Sequence, residues 1–151
     1  MDIDNYIKHL RDREYMSGVD REKSRVKATG EVFTPTPLVQ EILDKLDPNL
    51  FTEPGKSVLD PSCGDGQFLS EVLIRKLQSG QDFETALSSI YGVDLMGDNV
   101  TECRNRLLCG QEQYRPIVER NIVEADALKY HYRFDGTPPY DEANTFSQLF
   151  E

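Results

Sequence analysis

The stretch GKSVLDPSCGDGQFLSEVLIRKLQSG, residues 55–80, decides the fold of this chain. A short apolar run from Ser57 ends at Asp60, and a turn that contains glycines at positions 64 and 66 follows it. Apolar residues then recur at helical spacing up to Gly80: Phe68, Leu69, Val72, Leu73 and Leu77. The pattern therefore predicts a strand, a glycine turn and a helix, in that order.

The downstream sequence repeats this alternation of strand and helix. SIYGVDL (89–95) and ERNIVEAD (119–126) have the composition of buried strands. Between them, apolar residues at helical spacing end at Gly110. Before the first of them, Asp82 is placed to cap a shorter helix. The order β-α-β-α-β predicts an α/β fold with a doubly wound parallel sheet.

An aspartate falls at the carboxyl end of each predicted strand: Asp60, Asp94 and Asp126. Ligands of doubly wound sheets bind beyond these strand ends. A phosphate is disfavoured there, because the turn carries its own acids and lacks the Lys-Ser/Thr of a P-loop. Acids suit a ligand with a cationic amine or sulfonium and with ribose hydroxyls. Asp94 is placed to bind a ribose, and Asp126 an exocyclic amine.

The N-terminal part of the chain is different in character. Residues 3–16 predict an amphipathic helix, and the polar residues 17–30 an arm. Thr36 is expected to cap the next helix, with Leu38, Ile42 and Leu46 along one face. We therefore divide the chain into an N-terminal helix and arm, 1–30, and a cofactor-binding domain, 31–151.

Composition limits the protein class. The chain has 151 residues, of which 38% are hydrophobic and 29% charged, as in a soluble globular protein. It shows neither an apolar run near the ~18 residues of a membrane span nor the apolar segment of a signal peptide, so we expect a cytoplasmic protein without a membrane partner. Its three cysteines lack Cys-x-x-Cys spacing, so neither disulfides nor a metal site are expected.

The net charge of −10 is unevenly distributed. Residues 1–30 carry seven Lys or Arg and six Asp or Glu, whereas the rest of the chain carries ten and twenty-one. A DNA-binding surface is normally basic, because neutralising phosphates supplies much of the affinity. We therefore expect contact with DNA through a partner or a second subunit rather than by this chain alone.

Together these motifs resemble class I S-adenosylmethionine-dependent methyltransferases, and specifically the amino-methylating DNA methyltransferases of the restriction-modification type. GEVFTPTPLV (30–39) is similar to the N-terminal cofactor motif of that family, VLDPSCGDGQFL (58–69) to its glycine motif, YGVDL (91–95) to its ribose motif and EADAL (124–128) to its adenine motif. The resemblance implies a partial, Rossmann-like sheet with an N-terminal helical extension. It also implies that S-adenosyl-L-methionine is bound by Phe33, Thr34, Asp60, Cys63, Gly64, Gly66, Asp94, Leu95, Asp126 and Ala127.

A possible catalytic loop lies near the C-terminus, at Thr137-Pro138-Pro139-Tyr140. Members of the family flip the target base out of the duplex and hold it at a loop of a polar residue, two prolines and an aromatic residue. The polar side chain and the first proline carbonyl accept the two amine hydrogens, and the aromatic ring stacks on the base. Three positions match; Thr137 departs, since it offers a hydroxyl where Asp or Asn offers a planar oxygen.

The support beneath this loop differs from the family. Ten residues separate Asp126 from Thr137, fewer than the dozen or more that a parallel crossover needs. KYHYRFD (129–135) alternates in the manner of a half-exposed edge strand. Without a fourth strand the first strand becomes a sheet edge, so we expect a homo-oligomer or a complex with a companion subunit.

Three interpretations remain. We favour an S-adenosylmethionine-binding DNA methyltransferase-like protein, most consistent with adenine N6 as target and with weak or partner-dependent activity. The second is a non-catalytic acidic protein that engages a restriction or methylation subunit, or uses S-adenosylmethionine as a regulatory ligand. The third is a fragment of a longer methyltransferase whose companion carries the recognition domain.

Overall fold

The computed structural model of the chain describes residues 1–12 and 34–141. Its sheet contains β1 (Val58–Asp60), β2 (Ile90–Asp94) and β3 (Ile122–Glu124). The helices are α1 (Ile3–Arg11), α2 (Thr36–Leu43), α3 (Asn49–Thr52), α4 (Gln67–Gln78), α5 (Phe83–Ser88), α6 (Gly97–Leu108) and α7 (Arg115–Asn121), with a 3-10 turn at Glu112–Tyr114. Among the described residues, no helix has both the length and the apolar character that crossing a membrane requires.

The sheet is parallel and has the order β1-β2-β3. Asp60 is paired with Gly92, and Asp94 with Glu124, so the strands end at a common edge. The predicted α/β class and the three-strand parallel sheet are thus confirmed. The glycine turn, Asp94 and the residues after β3 are all brought to this carboxyl edge.

One face of the sheet is covered by the helices and holds the main core. The α4 residues Leu69, Val72 and Leu73 are fully buried, as their spacing predicts. The contact with β2 is very close, since a methyl group added to Gly92 would lie 2.8 Å from Leu69 Cδ1 and 3.0 Å from Cys63 Sγ. The glycine turn and the first turn of α4 therefore rest directly on the backbone of β2.

The other face is covered by the segment that follows β3. Val93, Ala125 and Tyr130 form a second, smaller core, against which Phe134 packs. The rings of Tyr130 and Phe134 meet at 5.2 Å, and Tyr132 lies 5.0 Å from Tyr130. This aromatic cluster places residues 125–134 against the sheet.

The edge strand predicted for 129–135 was wrong. These residues form no strand, and both Tyr132 (φ 56°) and Phe134 (φ 48°) have left-handed backbone conformations that interrupt an extended chain. The alternating aromatic residues do share one cluster, but they reach it by a folded loop. Ring packing, and not strand pairing, explains the alternation.

Helix α1 is part of the main core. Tyr6 stacks on Phe83 with ring centroids 4.9 Å apart, and Leu10 is fully buried. Arg106 of α6 donates from Nε to the Leu10 carbonyl (2.7 Å), and its Nη1 lies 3.6 Å from Oδ1 of the buried Asp65. The glycine turn is thereby tied to the end of α1. The arm at 17–30, and the domain boundary next to it, lie outside the described residues.

Helix α2 differs from its prediction in two respects. Thr36 is the first helical residue and does not act as the cap, a position that Pro35 takes without a side-chain bond. The buried face carries Val39 and Leu43, whereas the predicted face at 38, 42 and 46 is between 38% and 45% exposed. Both rows have a spacing of four residues, so periodicity alone did not distinguish them.

The chain that enters β1 is fixed by a buried lysine. Lys76 of α4 donates from Nζ to the carbonyls of Leu50 (3.1 Å) and Lys56 (2.8 Å). Burial lowers the pKa of this ammonium group. Two carbonyls thus satisfy a cation in the interior and set the position at which β1 begins.

Within the described residues β1 pairs with β2 alone, so its outer side is an edge of the sheet. Leu59 at its centre is 44% exposed. The predicted edge is confirmed, and it presents unpaired backbone groups together with an apolar side chain.

Candidate functional site

The glycine turn joins β1 to α4 and is held on β2. The Cys63 N–H donates to the Val93 carbonyl (2.9 Å), and Gly66 N–H to the Cys63 carbonyl (3.0 Å). Gly64 (φ 55°) and Gly66 (φ 98°) both use the left-handed region, which favours glycine. The turn is a rigid loop at the carboxyl edge of the sheet.

The two glycines have different surroundings. A methyl group on Gly66 would lie 3.1 Å from Cys103 Sγ, so this glycine lets α4 approach α6. A methyl group on Gly64 would meet nothing within 4 Å. Only Gly64 therefore leaves open space above the turn, of the kind that a ligand close to the backbone needs.

Asp94 ends β2 and accepts three hydrogen bonds from the protein. Its Oδ1 accepts from the N–H of Gly64 (3.2 Å), and its Oδ2 from the Met96 N–H (3.0 Å) and from Asn99 Nδ2 (3.2 Å). A carboxylate has about four acceptor positions. Asp94 thus fastens the glycine turn to β2 and keeps capacity for one further donor.

Asp60 ends β1, and its Oδ1 accepts from the Ser62 N–H (3.0 Å). Burial raises the pKa of Asp60, the Ser62 bond opposes that rise, and the nearby charge of Asp94 adds to it. A cationic group fits beside a carboxylate whose charge is opposed by burial and by a second carboxylate, because it favours the charged form of that carboxylate.

The third acid, Asp126, lies two residues beyond Glu124, where β3 ends, so the strand is shorter than the sequence predicted. Asp126 is half-buried and accepts at Oδ1 from the Leu128 N–H (2.9 Å). Ala127 packs against the smaller core, and Leu95, after β2, is 66% exposed. The predicted adenine-motif residues therefore line the same edge as the other acids, with an exposed apolar side chain beside them.

Thr34 also reaches this edge. Its carbonyl accepts from Nε2 of Gln67, the first residue of α4, at 2.7 Å. The segment before α2 is thereby joined to the end of the glycine turn. Phe33 lies outside the described residues.

Cys63 is a packed residue of the turn. It is 4% exposed, and its pKa is strongly raised by a hydrogen bond with Cys103 and by burial. A thiol held in its neutral form is a poor nucleophile. Its side chain packs the turn against α4 and α6, and its backbone forms part of the loop.

The loop 137–140 lies beside the end of β3. The Asp126 N–H donates to Tyr140 Oη (2.8 Å), and the Tyr140 ring is 39% exposed. The His131 N–H donates to the Pro139 carbonyl (3.3 Å). Residues 125–131 therefore hold the loop beside β3, at the edge of the sheet opposite to β1.

Sequence reasoning missed several residues of this region: Gln67, Asn99, His131 and Asp135. Asn99 could have been found from its spacing, because a side chain five residues after a strand-end acid lies on the first turn of the next helix. No pattern pointed to His131 or Asp135. Their contacts depend on the left-handed turns of a loop that periodicity did not predict.

The residues present fit S-adenosylmethionine. Carboxylates at or just beyond the ends of the three strands suit a cationic amine and ribose hydroxyls. Asp94 has one acceptor position left. Gly64 leaves space above the turn. Among the described residues, no group of three or more potential ligands could hold a metal ion. The chemistry of the edge is that of an organic, partly cationic ligand.

A parallel sheet with a glycine turn and strand-end acids at its carboxyl edge is the methyltransferase-type α/β fold. The chain matches the N-6 DNA methylase family over residues 19–143, and it belongs to that family. The protein is thus DNA methyltransferase-like.

Two curated proteins are similar to this chain at low sequence identity. The chain is 33% identical over 69 residues to the type I restriction enzyme EcoEI methylase subunit of Escherichia coli, covering 43% of this chain and 13% of that protein. It is 31% identical over 118 residues to modification methylase CviBIII of Paramecium bursaria Chlorella virus NC1A, covering 78% and 28%. The chain spans less than a third of either relative. No solved structure gives a significant match.

Proposed function

We propose that this chain binds S-adenosylmethionine at the carboxyl edge of its sheet and takes part in methylating adenine N6 in DNA. One observation carries the proposal: Asp60 and Asp94 lie together beside the open turn position at Gly64, in a chain of the N-6 DNA methylase family. The cofactor supplies an electrophilic methyl group on a sulfonium. Composition supports a cytoplasmic location.

Different residues of the carboxyl edge contact different parts of the ligand. Asp60 and the backbone of the glycine turn hold the methionine part, to which Thr34 is adjacent through Gln67. Asp94 accepts from ribose with its remaining position, and Asp126 from the adenine amine. The exposed Leu95 covers the adenine ring.

The loop 137–140 positions the target amine. Thr137 Oγ1 and the Pro138 carbonyl accept its two hydrogens, so that the nitrogen lone pair is directed at the methyl group. The Tyr140 ring stacks on the flipped base. This is catalysis by orientation, and the loop needs no group that takes up a proton in the transition state.

Asp60→Asn is expected to weaken S-adenosylmethionine binding by about tenfold, since a hydrogen bond to a charged group contributes about 1.5–3 kcal/mol. The same change is expected to stabilise the free protein. The folded state raises the pKa of Asp60, so the ionised group opposes folding above that pKa. The stabilisation is greatest at neutral pH and disappears below about pH 4, where the unfolded aspartate is also protonated.

Calorimetry and thermal unfolding at neutral and acidic pH measure the two effects of Asp60→Asn. Asparagine keeps an oxygen for the Ser62 N–H, so the turn itself is preserved. A variant that is less stable at neutral pH, with binding unaltered, would identify Asp60 as a structural cap of the strand end.

We propose that DNA is reached through a companion subunit or a second copy. The exposed edge of β1 with Leu59 is the surface that such a partner covers, and the net charge of −10 disfavours direct duplex binding. Size-exclusion chromatography with light scattering is expected to show a dimer or a complex with the companion. A strict monomer in the presence of candidate companions contradicts this proposal.

A second function has a specific observation in its favour. The Pro138 carbonyl already accepts from His131 and the Thr137 hydroxyl already donates to Asp135, and polar groups that are paired within the chain suit a non-catalytic binding protein. Methyl transfer to DNA distinguishes the two functions. If neither the parent nor Thr137→Asn transfers a methyl group with companions present, the result contradicts the enzyme function and supports the binding function.

A further inference from the structure

The loop 137–140 rests on a histidine whose protonation state follows from its partners. His131 Nε2 lies 2.7 Å from the Pro138 carbonyl oxygen, which can only accept, so Nε2 carries the proton. His131 Nδ1 accepts from the Arg133 N–H (3.1 Å), so Nδ1 carries none. Two independent contacts thus require the same neutral tautomer.

This histidine is itself fixed to the sheet. Its ring packs on Tyr130 at 4.8 Å, and Tyr130 is buried in the smaller core with Val93 of β2. The Tyr130 hydroxyl accepts from the Phe134 N–H (3.0 Å), which holds the intervening turn. A continuous packed path therefore runs from β2 to the Pro138 carbonyl.

An aspartate fixes the other acceptor of the loop. Thr137 Oγ1 donates its hydrogen to Asp135 Oδ1 (2.6 Å), which also accepts from the Thr137 N–H (3.0 Å). These bonds lower the pKa of Asp135 and keep it ionised. With its hydrogen so directed, the hydroxyl presents lone pairs only. Thr137 Oγ1 lies 3.2 Å from His131 Nε2, a contact that uses one lone pair, so one lone pair remains.

We infer that His131 and Asp135 are positioning residues that turn Thr137 and Pro138 into a fixed pair of acceptors for the target amine. Asp135 makes the threonine hydroxyl act as the planar oxygen of Asn or Asp does elsewhere in the family. His131 fixes the Pro138 carbonyl through one hydrogen bond and leaves it a second lone pair. The inference rests on the proposed function, since it concerns the same site.

The decisive experiment combines Asp135→Ala with Thr137→Asn. In the parent, Asp135→Ala is expected to lower kcat for DNA methylation about five- to tenfold, the value of one oriented hydrogen bond, with KM for S-adenosylmethionine unchanged. In the Thr137→Asn background, asparagine brings its own acceptor, so the same change is expected to have at most about a twofold effect. Equal losses in both backgrounds overturn the role of Asp135.

A matched control exists on α5. Asp82 accepts from both the N–H and the hydroxyl of Thr85 at 2.8 Å, the same Asp–Thr pairing far from the loop. Asp82→Ala is expected to lower stability and leave kcat unchanged. A fall in kcat equal to that of Asp135→Ala shows that general destabilisation explains both, and overturns the inference.

Nitrogen NMR of the imidazoles tests His131 without any methyl transfer. The chain has two histidines, so His9, exposed on α1, serves as the internal reference. We expect His131 as the Nε2–H tautomer, loss of protection of the Asp126 N–H in His131→Phe, and its partial return in His131→Gln, which can still donate to Pro138. A wrong tautomer in an active protein overturns this inference alone. The expected tautomer in a protein without any methyl transfer overturns the proposed function, and the positioning role with it.

Discussion

Gly64→Ala is expected to weaken S-adenosylmethionine binding by about 10- to 100-fold. The added methyl group meets no protein atom within 4 Å, so it occupies the space that the ligand is proposed to fill. Crowding a close contact by one methyl group costs about 1–3 kcal/mol, which corresponds to this loss of affinity. Calorimetric titration measures it directly.

Gly110→Ala is the matched control for this prediction. Gly110 has a φ of 76°, close to the 55° of Gly64, and a methyl group there also meets nothing within 4 Å. Both variants are therefore expected to lose about 1–2 kcal/mol of stability through the left-handed backbone, and only Gly64→Ala to lose affinity. Equal affinity in the two variants would place the cofactor away from the turn.

Gly92→Ala is expected to lower the free energy of unfolding by about 1–3 kcal/mol, because its methyl group would lie 2.8 Å from Leu69 Cδ1 and 3.0 Å from Cys63 Sγ. Leu69→Ala alone is expected to cost about 2–5 kcal/mol, since Leu69 is fully buried. In the double variant the new methyl group enters the space that the leucine left. The double variant should therefore lose less free energy of unfolding than the two single variants lose together, by about 0.5–3 kcal/mol.

Urea unfolding of the single and double variants of Gly92 and Leu69 gives this coupling. Strict additivity would mean that α4 does not rest on β2 as the structure shows. The measurement thus tests the packing that fixes the glycine turn, independently of any ligand.

The strands and the sheet class were predictable because local rules and tertiary packing agree there. Each strand is a short apolar run that ends at an acid, and parallel pairing brings those acids to one edge. The Asp82 cap also formed as predicted, with Oδ1 accepting from the Thr85 N–H. Where local preference and tertiary packing favour the same structure, the sequence is sufficient to predict it.

The predictions that failed depend on choices that periodicity cannot make. Helix α2 carries two apolar rows with the same spacing, and only the approach of α4 selects Val39 and Leu43 for burial. The aromatic residues of 129–135 alternate as in a strand, but left-handed turns at Tyr132 and Phe134 fold them into a cluster. Such turns leave no signature in non-glycine residues.

The candidate site was partly predictable for the same reason. The acids at the strand ends followed from the motif order, whereas the three donors that Asp94 satisfies within the protein did not. The partners of the loop, His131 and Asp135, come from its folded path, and its attachment to the end of β3 could not be derived from spacing. The cofactor and catalytic assignments stay predictions that the variants above test.

Isothermal titration calorimetry of the parent chain measures whether the acidic carboxyl edge binds S-adenosylmethionine. We expect saturable one-to-one binding that is weakened about tenfold in Asp60→Asn and unchanged in the distant control Asp82→Asn. A folded parent that shows no saturable binding, or binding equal in the parent and Asp60→Asn, would contradict it.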